Sequence, residues 1–134
     1  MELKVTLEGG KRVATRVGNH VIETDQPKES GGDDSAPAPY DLFLASIATC
    51  VGFYIQSYCE TKDIDVTGIR ITLNATRDPE SRQVSGFVTT IEVPPSLPDK
   101  LYPVLCKVAE QCAVKKTIMS NPSFVVKTRP LTPA

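Results

Sequence analysis

From Leu42 to Cys59 the chain reads LFLASIATCVGFYIQSYC, eighteen residues without a charge. That length is the lower limit for a helix crossing a bilayer. The same stretch carries Ser46, Thr49, Gly52, Gln56, Ser57 and two tyrosines, Tyr54 and Tyr58, and strand-like patterns flank it on both sides. A lone span of this polarity between strands is better read as a helix buried all round in a soluble core, with no membrane partner. Pro39 suits a first helical turn and Asp41 complements the positive end of the dipole, so the helix is expected from Pro39 to about Thr61.

The segments around this helix alternate. Between Lys4 and Asp25, Val5, Leu7, Val13, Val17 and Val21 recur among polar residues, and Gly18-Asn19 separates the last two runs, a hairpin signal. Residues 26–38, QPKESGGDDSAPA, are too long and polar for a simple turn and read as a mobile lid or a connection draped over a partner. After the helix, Ile69, Ile71, Leu73 and Ala75 alternate with Arg70, Thr72, Asn74 and Thr76. A turn near Asp78-Pro79 then leads to Phe87, Thr89, Ile91 and Val93, a second hairpin with one wet face. Leu101, Val104, Leu105 and Val108 recur at i, i+3, i+4 and i+7, the mark of an amphipathic helix with Pro103 in its first turn. The helical pattern breaks between Gln111 and Asn121, Pro122 blocks its continuation, and Phe124 to Thr128 reads as a last strand. Strands, a buried helix, more strands and another helix make an α+β fold with antiparallel pairing, and 134 residues suit one domain over 1–134.

Fifteen Lys plus Arg stand against sixteen Asp plus Glu, a net charge of −1 with no basic run, which excludes nucleic acid as a partner of choice. The start, MELKVTLEGGKR, has no apolar run before a small-residue cleavage site, and the expected location is the cytoplasm. Four cysteines in such a chain argue for thiols or a redox site rather than a disulfide framework. There is no CxxC, and with one His and spacings of nine, forty-seven and six residues between cysteines no metal site is expected. No cofactor is implied.

On one helix, Cys50 and Cys59 lie on opposite faces about 13.5 Å apart along the axis, and a helical Cys106 and Cys112 would be about 120° and 9 Å apart. Neither pair can bridge. Every remaining pair joins the first helix to the second helical region. Cys50 faces the stripe of Phe43, Ile47 and Tyr54, whereas Cys106 points away from the apolar face of its helix, which favours Cys50 with Cys112. Cys59 and Cys106 read as small hydrophobes with nothing nearby to activate them. Cys50 sits three turns into its helix, where the dipole cannot lower its pKa and burial would raise it. A thiolate there requires an imported cation, and Lys11 to Arg16 is one source. His20, the single imidazole, reads as a solvated residue beside a turn.

APAPYDLFLASIATC, followed some sixty residues later by AEQCAVKKTI, resembles the osmotically inducible protein C and organic hydroperoxide resistance family (OsmC/Ohr). The order of hairpin, Gly-rich loop, long helix with a Cys, hairpin, helix with a second Cys and terminal strand is similar to that family's from end to end. The resemblance implies an intertwined homodimer, its two long helices central and wrapped by sheets containing strands from both chains. It also implies a thiol peroxidase for small apolar hydroperoxides, with Cys50 as peroxidatic thiolate, Cys112 as resolving thiol and a dithiol as reductant. RVGNHVIETD resembles the family's first hairpin turn and puts Arg16 at the position of the arginine that holds the thiolate, with Arg12 as the fallback. Tyr40, Phe43, Ile47 and Tyr54 would line an apolar mouth to Cys50.

Two positions depart from the family pattern. Tyr40 stands where the family usually has a Glu that salt-bridges the arginine, and Asp41 beside it falls on the face opposite Cys50. Ala113 stands where a Pro commonly follows the resolving Cys. The first departure keeps two other readings open, a noncatalytic relative that binds a small apolar ligand beside Cys50, and a thiol redox sensor acting through residues 26–38.

Overall fold

The charge-free stretch forms one continuous helix, α1, over Pro39–Thr61 in a computed structural model that describes residues 1–132. Pro39 opens it, and the Asp41 carboxylate accepts the Ala38 N–H at 3.1 Å, which holds the first turn. By length and composition α1 could cross a membrane. Its buried positions, however, form one stripe, Ile47, Val51, Ile55 and Cys59, each four residues from the last. Phe53 on another face is 63% exposed, so within one chain the helix is not buried all round as expected. The reason is numerical: the elements of a single chain cover only one side of it.

Three strands precede α1: β1 (Val5–Gly9), β2 (Arg12–Val17) and β3 (His20–Thr24), paired antiparallel in the order β1-β2-β3. Val17 faces His20 across the Gly18-Asn19 turn, and Gly18 supplies the φ of +58° there. Asp25 ends this sheet and organises the loop after it. Its carboxylate accepts N–H groups from Gln26 at 2.8 Å, Asp33 at 3.2 Å and Ser35 at 3.1 Å, and the Ser35 hydroxyl at 2.7 Å. The Ser35 hydroxyl and amide, then Gln26, hold its pKa at about 2. A Cβ at Gly32 would overlap the Gln26 carbonyl, so the loop closes this tightly only on glycine. Residues 26–38 are thus wound on a buried carboxylate, in contrast to the mobile or partner-draped connection expected.

After α1, β4 (Arg70–Arg77) and β5 (Val84–Glu92) form an antiparallel hairpin whose turn is tied by the Asp78 carboxylate accepting from Glu80 and Ser81. Ile71 and Ile91 pair across the ladder and pack on the core. Helix α2 (Tyr102–Ala109) then runs to a break at Glu110–Cys112, and α3 (Ala113–Met119) starts in a new direction. The core is Val51, Ile55, Cys59, Leu101, Leu105 and Cys112, so α1 and α2 clamp both buried cysteines against the β4-β5 sheet.

The expected last strand is absent. Residues 124–128 make no ladder, with Phe124 at 92% and Val126 at 93% exposure. A strand needs a neighbouring edge, and among the described residues none pairs with this segment.

Candidate thiol site

Cys112 occupies the residue before α3, where the chain is still extended, and its Sγ accepts the Lys115 N–H at 3.4 Å. The first amides of α3 have no carbonyl partner within their own helix. Within this chain the amides of Val114 and Ala113 act on Cys50 of α1 and favour its thiolate. Burial pushes the Cys50 thiol up, but the Val114 amide, the Cys112 side chain and the Ala113 amide together outweigh it and bring the pKa below the ordinary thiol value.

Cys112 goes the other way. It is fully buried, and that burial together with the neighbouring Cys50 raises its pKa despite the Lys115 amide. The two thiols are free, side by side, and opposed in their preference for charge. A half-buried sulfur held towards the thiolate next to a buried sulfur held towards the thiol is an arrangement suited to thiol–disulfide chemistry. Cys50 and Cys112, the two cysteines expected to work together, influence each other's titration.

The source of the perturbation differs from the cation expected. Arg16 lies exposed in β2 opposite Val21, and Arg12 lies exposed at the start of the same strand. Neither guanidinium is among the groups acting on Cys50 within this chain; backbone amides take that role. Sequence reasoning passed over Ala113 and Val114 because amides leave no residue-type signature. The one usable signal was the break ahead of AVKKTIM, which puts a helix start directly after a cysteine. Asp41 is occupied in capping α1.

Cys59 is buried and its pKa is raised by that burial, as a core thiol should be. Cys106 is exposed. Among the described residues no cluster of three or more His, Cys, Asp or Glu is placed to hold a metal ion.

A cavity of about 450 Å3 opens between α1, β5, α2 and α3, walled by Ile47, Val51, Phe87, Ile91, Cys106 and Lys115 among others. Ile47 and Val51 flank Cys50 along α1, and Lys115 follows Cys112. Of the four residues expected at the mouth, Ile47 lines this cavity directly. Tyr40 packs on Phe43 at 5.6 Å between ring centroids, and Phe43 meets Phe87 edge-on at 6.0 Å, an aromatic row that leads from the start of α1 to the cavity wall. Tyr54 pairs instead with Phe53 at 5.4 Å.

Known proteins share this fold. The sequence profile of the family described as OsmC-like protein matches residues 32–127, which include α1, both hairpin strands after it and the α2-α3 break. No curated protein matches the sequence. A solved structure from Psychrobacter arcticus 273-4, described as an osmotic stress induced and detoxification response protein, is similar with a TM-score of 0.71 at 28% identity, over 86% of this chain and 85% of that one. An OsmC like protein from Mycoplasma pneumoniae is similar with a TM-score of 0.69 at 14% identity, over 90% and 87%. The organic hydroperoxide resistance protein OsmC from Legionella pneumophila gives 0.53 at 21% identity, over 90% and 91%. The last two share the fold.

Proposed function

The chain belongs to the OsmC-like protein family, and from that premise we propose that it is a cysteine-based peroxidase that reduces organic hydroperoxides. The observation that carries the reading is the lowered pKa of Cys50 beside a buried, protonated Cys112. The Cys50 thiolate attacks the terminal oxygen of the hydroperoxide, forming an S–O bond as the O–O bond breaks. The alkoxide leaves, takes a proton and departs as alcohol, and Cys50 is left as a sulfenic acid. Cys112 then attacks the Cys50 sulfur; the S–O bond breaks, and the hydroxide leaves with the Cys112 proton as water. A dithiol reductant supplies two electrons and two protons to restore both thiols.

The cavity flanked by Ile47, with the row of Tyr40 and Phe43 leading to it, suits an apolar substrate, and its volume lies within the range of small-molecule pockets. We read the working form as an intertwined homodimer. Val5, Leu7, Phe53, Phe124 and Val126 are each at least 60% exposed in one chain, more apolar surface than a monomer keeps without reason. In such a dimer Arg16, exposed on β2, serves the Cys50 of the second copy, and residues 124–128 gain the strand edge they lack. Four free thiols accord with a reducing compartment, the cytoplasm.

The test is turnover of cumene hydroperoxide against hydrogen peroxide, followed by mass spectrometry of the four thiols. The expected result is fast consumption selective for the organic peroxide, a Cys50–Cys112 bridge in the oxidised protein, and no turnover by Cys50→Ser. Slow oxidation without selectivity or without that bridge overturns the reading and leaves a noncatalytic ligand-binding relative.

A further inference from the structure

At the other end of α1 the chain builds a second pocket of about 390 Å3, away from the thiols. Tyr58, which forms one wall, follows Cys50 by eight residues, about 12 Å along the helix axis. The apolar lining is completed by Ile64, Leu97, Pro98, Leu101 and Val104, and Lys62 and Lys100 line the pocket as well.

The walls are fixed by short backbone hydrogen bonds. The Ile64 N–H donates to the Cys59 carbonyl at 2.8 Å, that of Leu97 to Pro94 at 3.0 Å and that of Leu101 to Pro98 at 2.9 Å. Leu101, 7% exposed, closes the bottom and joins the pocket to the core.

The polar side chains of the lining are Tyr58, Lys62 and Lys100. Lys62 and Lys100 are exposed, and among the described residues neither makes an ion pair, although Asp63 and Asp99 are their immediate neighbours in sequence. The Tyr58 hydroxyl likewise has no hydrogen-bond partner among the described residues. Two cations and a phenol around an otherwise apolar cleft complement a molecule with one negative end and a hydrocarbon body. We propose that this pocket binds an amphipathic monoanion, a carboxylate bearing an unbranched apolar tail, with the tail against Ile64, Leu97 and Val104 and the carboxylate between Lys62 and Lys100. The site is independent of the peroxide reading.

Decanoate tests it, with 1-decanol and decyltrimethylammonium as neutral and cationic probes of equal tail length, by titration of the 15N-labelled full chain followed by NMR. The expected result is saturable shifts at Lys62, Ile64, Leu97 and Val104, with decanoate binding tightest. Lys62→Gln with Lys100→Gln should weaken decanoate about three- to tenfold and leave 1-decanol unchanged. Both substitutions are on the surface and leave the core intact. Val104→Trp, which fills the pocket, should abolish binding while the alkylation rate of Cys50 stays the same. Equal affinity for the three probes, indifference to the double Lys change, or shifts centred on Ile47 and Val51 would overturn the proposal. So would a change of oligomeric state in Val104→Trp, which would mean that a second copy occupies the pocket.

Discussion

Replacing Ala113 by proline removes a single N–H from the thiol site and almost nothing else. Ala113 is the first residue of α3, a position where proline's fixed φ fits and where the lost N–H has no intrahelical partner. The residue before a proline must be extended, and Cys112 already sits at φ −46°, ψ 115°. The amide lost is one of those that stabilise the Cys50 thiolate. A hydrogen bond to a charged group contributes about 1.5–3 kcal/mol, and one pKa unit corresponds to about 1.4 kcal/mol, so complete loss would raise the thiol pKa by about one to two units. Ala113 has the smallest effect of the three groups that lower it, and Cys50 is partly open to solvent, so a rise of about one unit is the expected figure. The assay is the pH dependence of Cys50 alkylation by iodoacetamide, with the modified site identified by mass spectrometry. The midpoint should move up by about one unit, and the rate at pH values below the midpoint should fall about tenfold with the thiolate fraction. Proline also restricts the unfolded chain, so the melting temperature should not fall. Ala113→Gly retains the N–H and is the control. An unmoved midpoint in a folded Ala113→Pro protein, or equal shifts in the proline and glycine variants, would refute the idea that α3 amides hold the thiolate.

Cys112→Ser should leave the Cys50 sulfenic acid unresolved after one peroxide equivalent, read as a dimedone adduct on Cys50 that the wild type shows only faintly. Leu105→Ala empties the centre of the core, where Leu105 is 0% exposed, and should cost about 2–5 kcal/mol in urea unfolding. Asp25 has its pKa lowered to about 2 from 3.8, so its stabilising effect is complete above pH 3.8 and is lost as pH falls from there to about 2. Hydrogen exchange at the Asp33 and Ser35 amides should accelerate through that window and be fast at every pH in Asp25→Ala. Phe124→Asp combined with Val126→Asp should shift sedimentation of the proposed dimer to the monomer, without changing the far-ultraviolet signature of α1.

Sequence reading succeeds here wherever the deciding interactions are local. The bounds of α1 follow from Pro39 and the first charge after Cys59, and both later hairpin strands follow from alternation, because side-chain period is a property of consecutive residues. The choice of Cys50 with Cys112 has a different basis: helix geometry excludes the same-helix pairs, and Cys106 faces away from the core. The features that escaped depend on groups without a sequence code or on surfaces outside one chain. Residues 26–38 read by composition as a mobile lid or a partner-draped connection, yet Asp25 supplies the acceptor that winds them, and a lone carboxylate before a polar loop has many other uses. Residues 124–128 have strand composition but no edge to pair with, and composition cannot supply the edge. Burial of α1 was overstated because its apolar residues cover more of its circumference than one chain encloses.

The break between α2 and α3 is where local irregularity and chemistry meet. A single helix continuing from Tyr102 to Met119 would satisfy the amides of Ala113 and Val114 internally, with carbonyls four residues earlier, and none would remain for Cys50. It would also hold Cys112 in line with α2 rather than at the head of a new helix. By ending α2 at Ala109 and restarting at Ala113, the chain creates unpartnered N–H groups and a buried thiol at one point and sets that point against α1. Cys50 lies too far from the start of its own helix to gain from its dipole, so within one chain the groups that lower its pKa come from the beginning of another helix. A local defect in helical regularity, which costs stability where it stands, thereby contributes to the lowered pKa of Cys50.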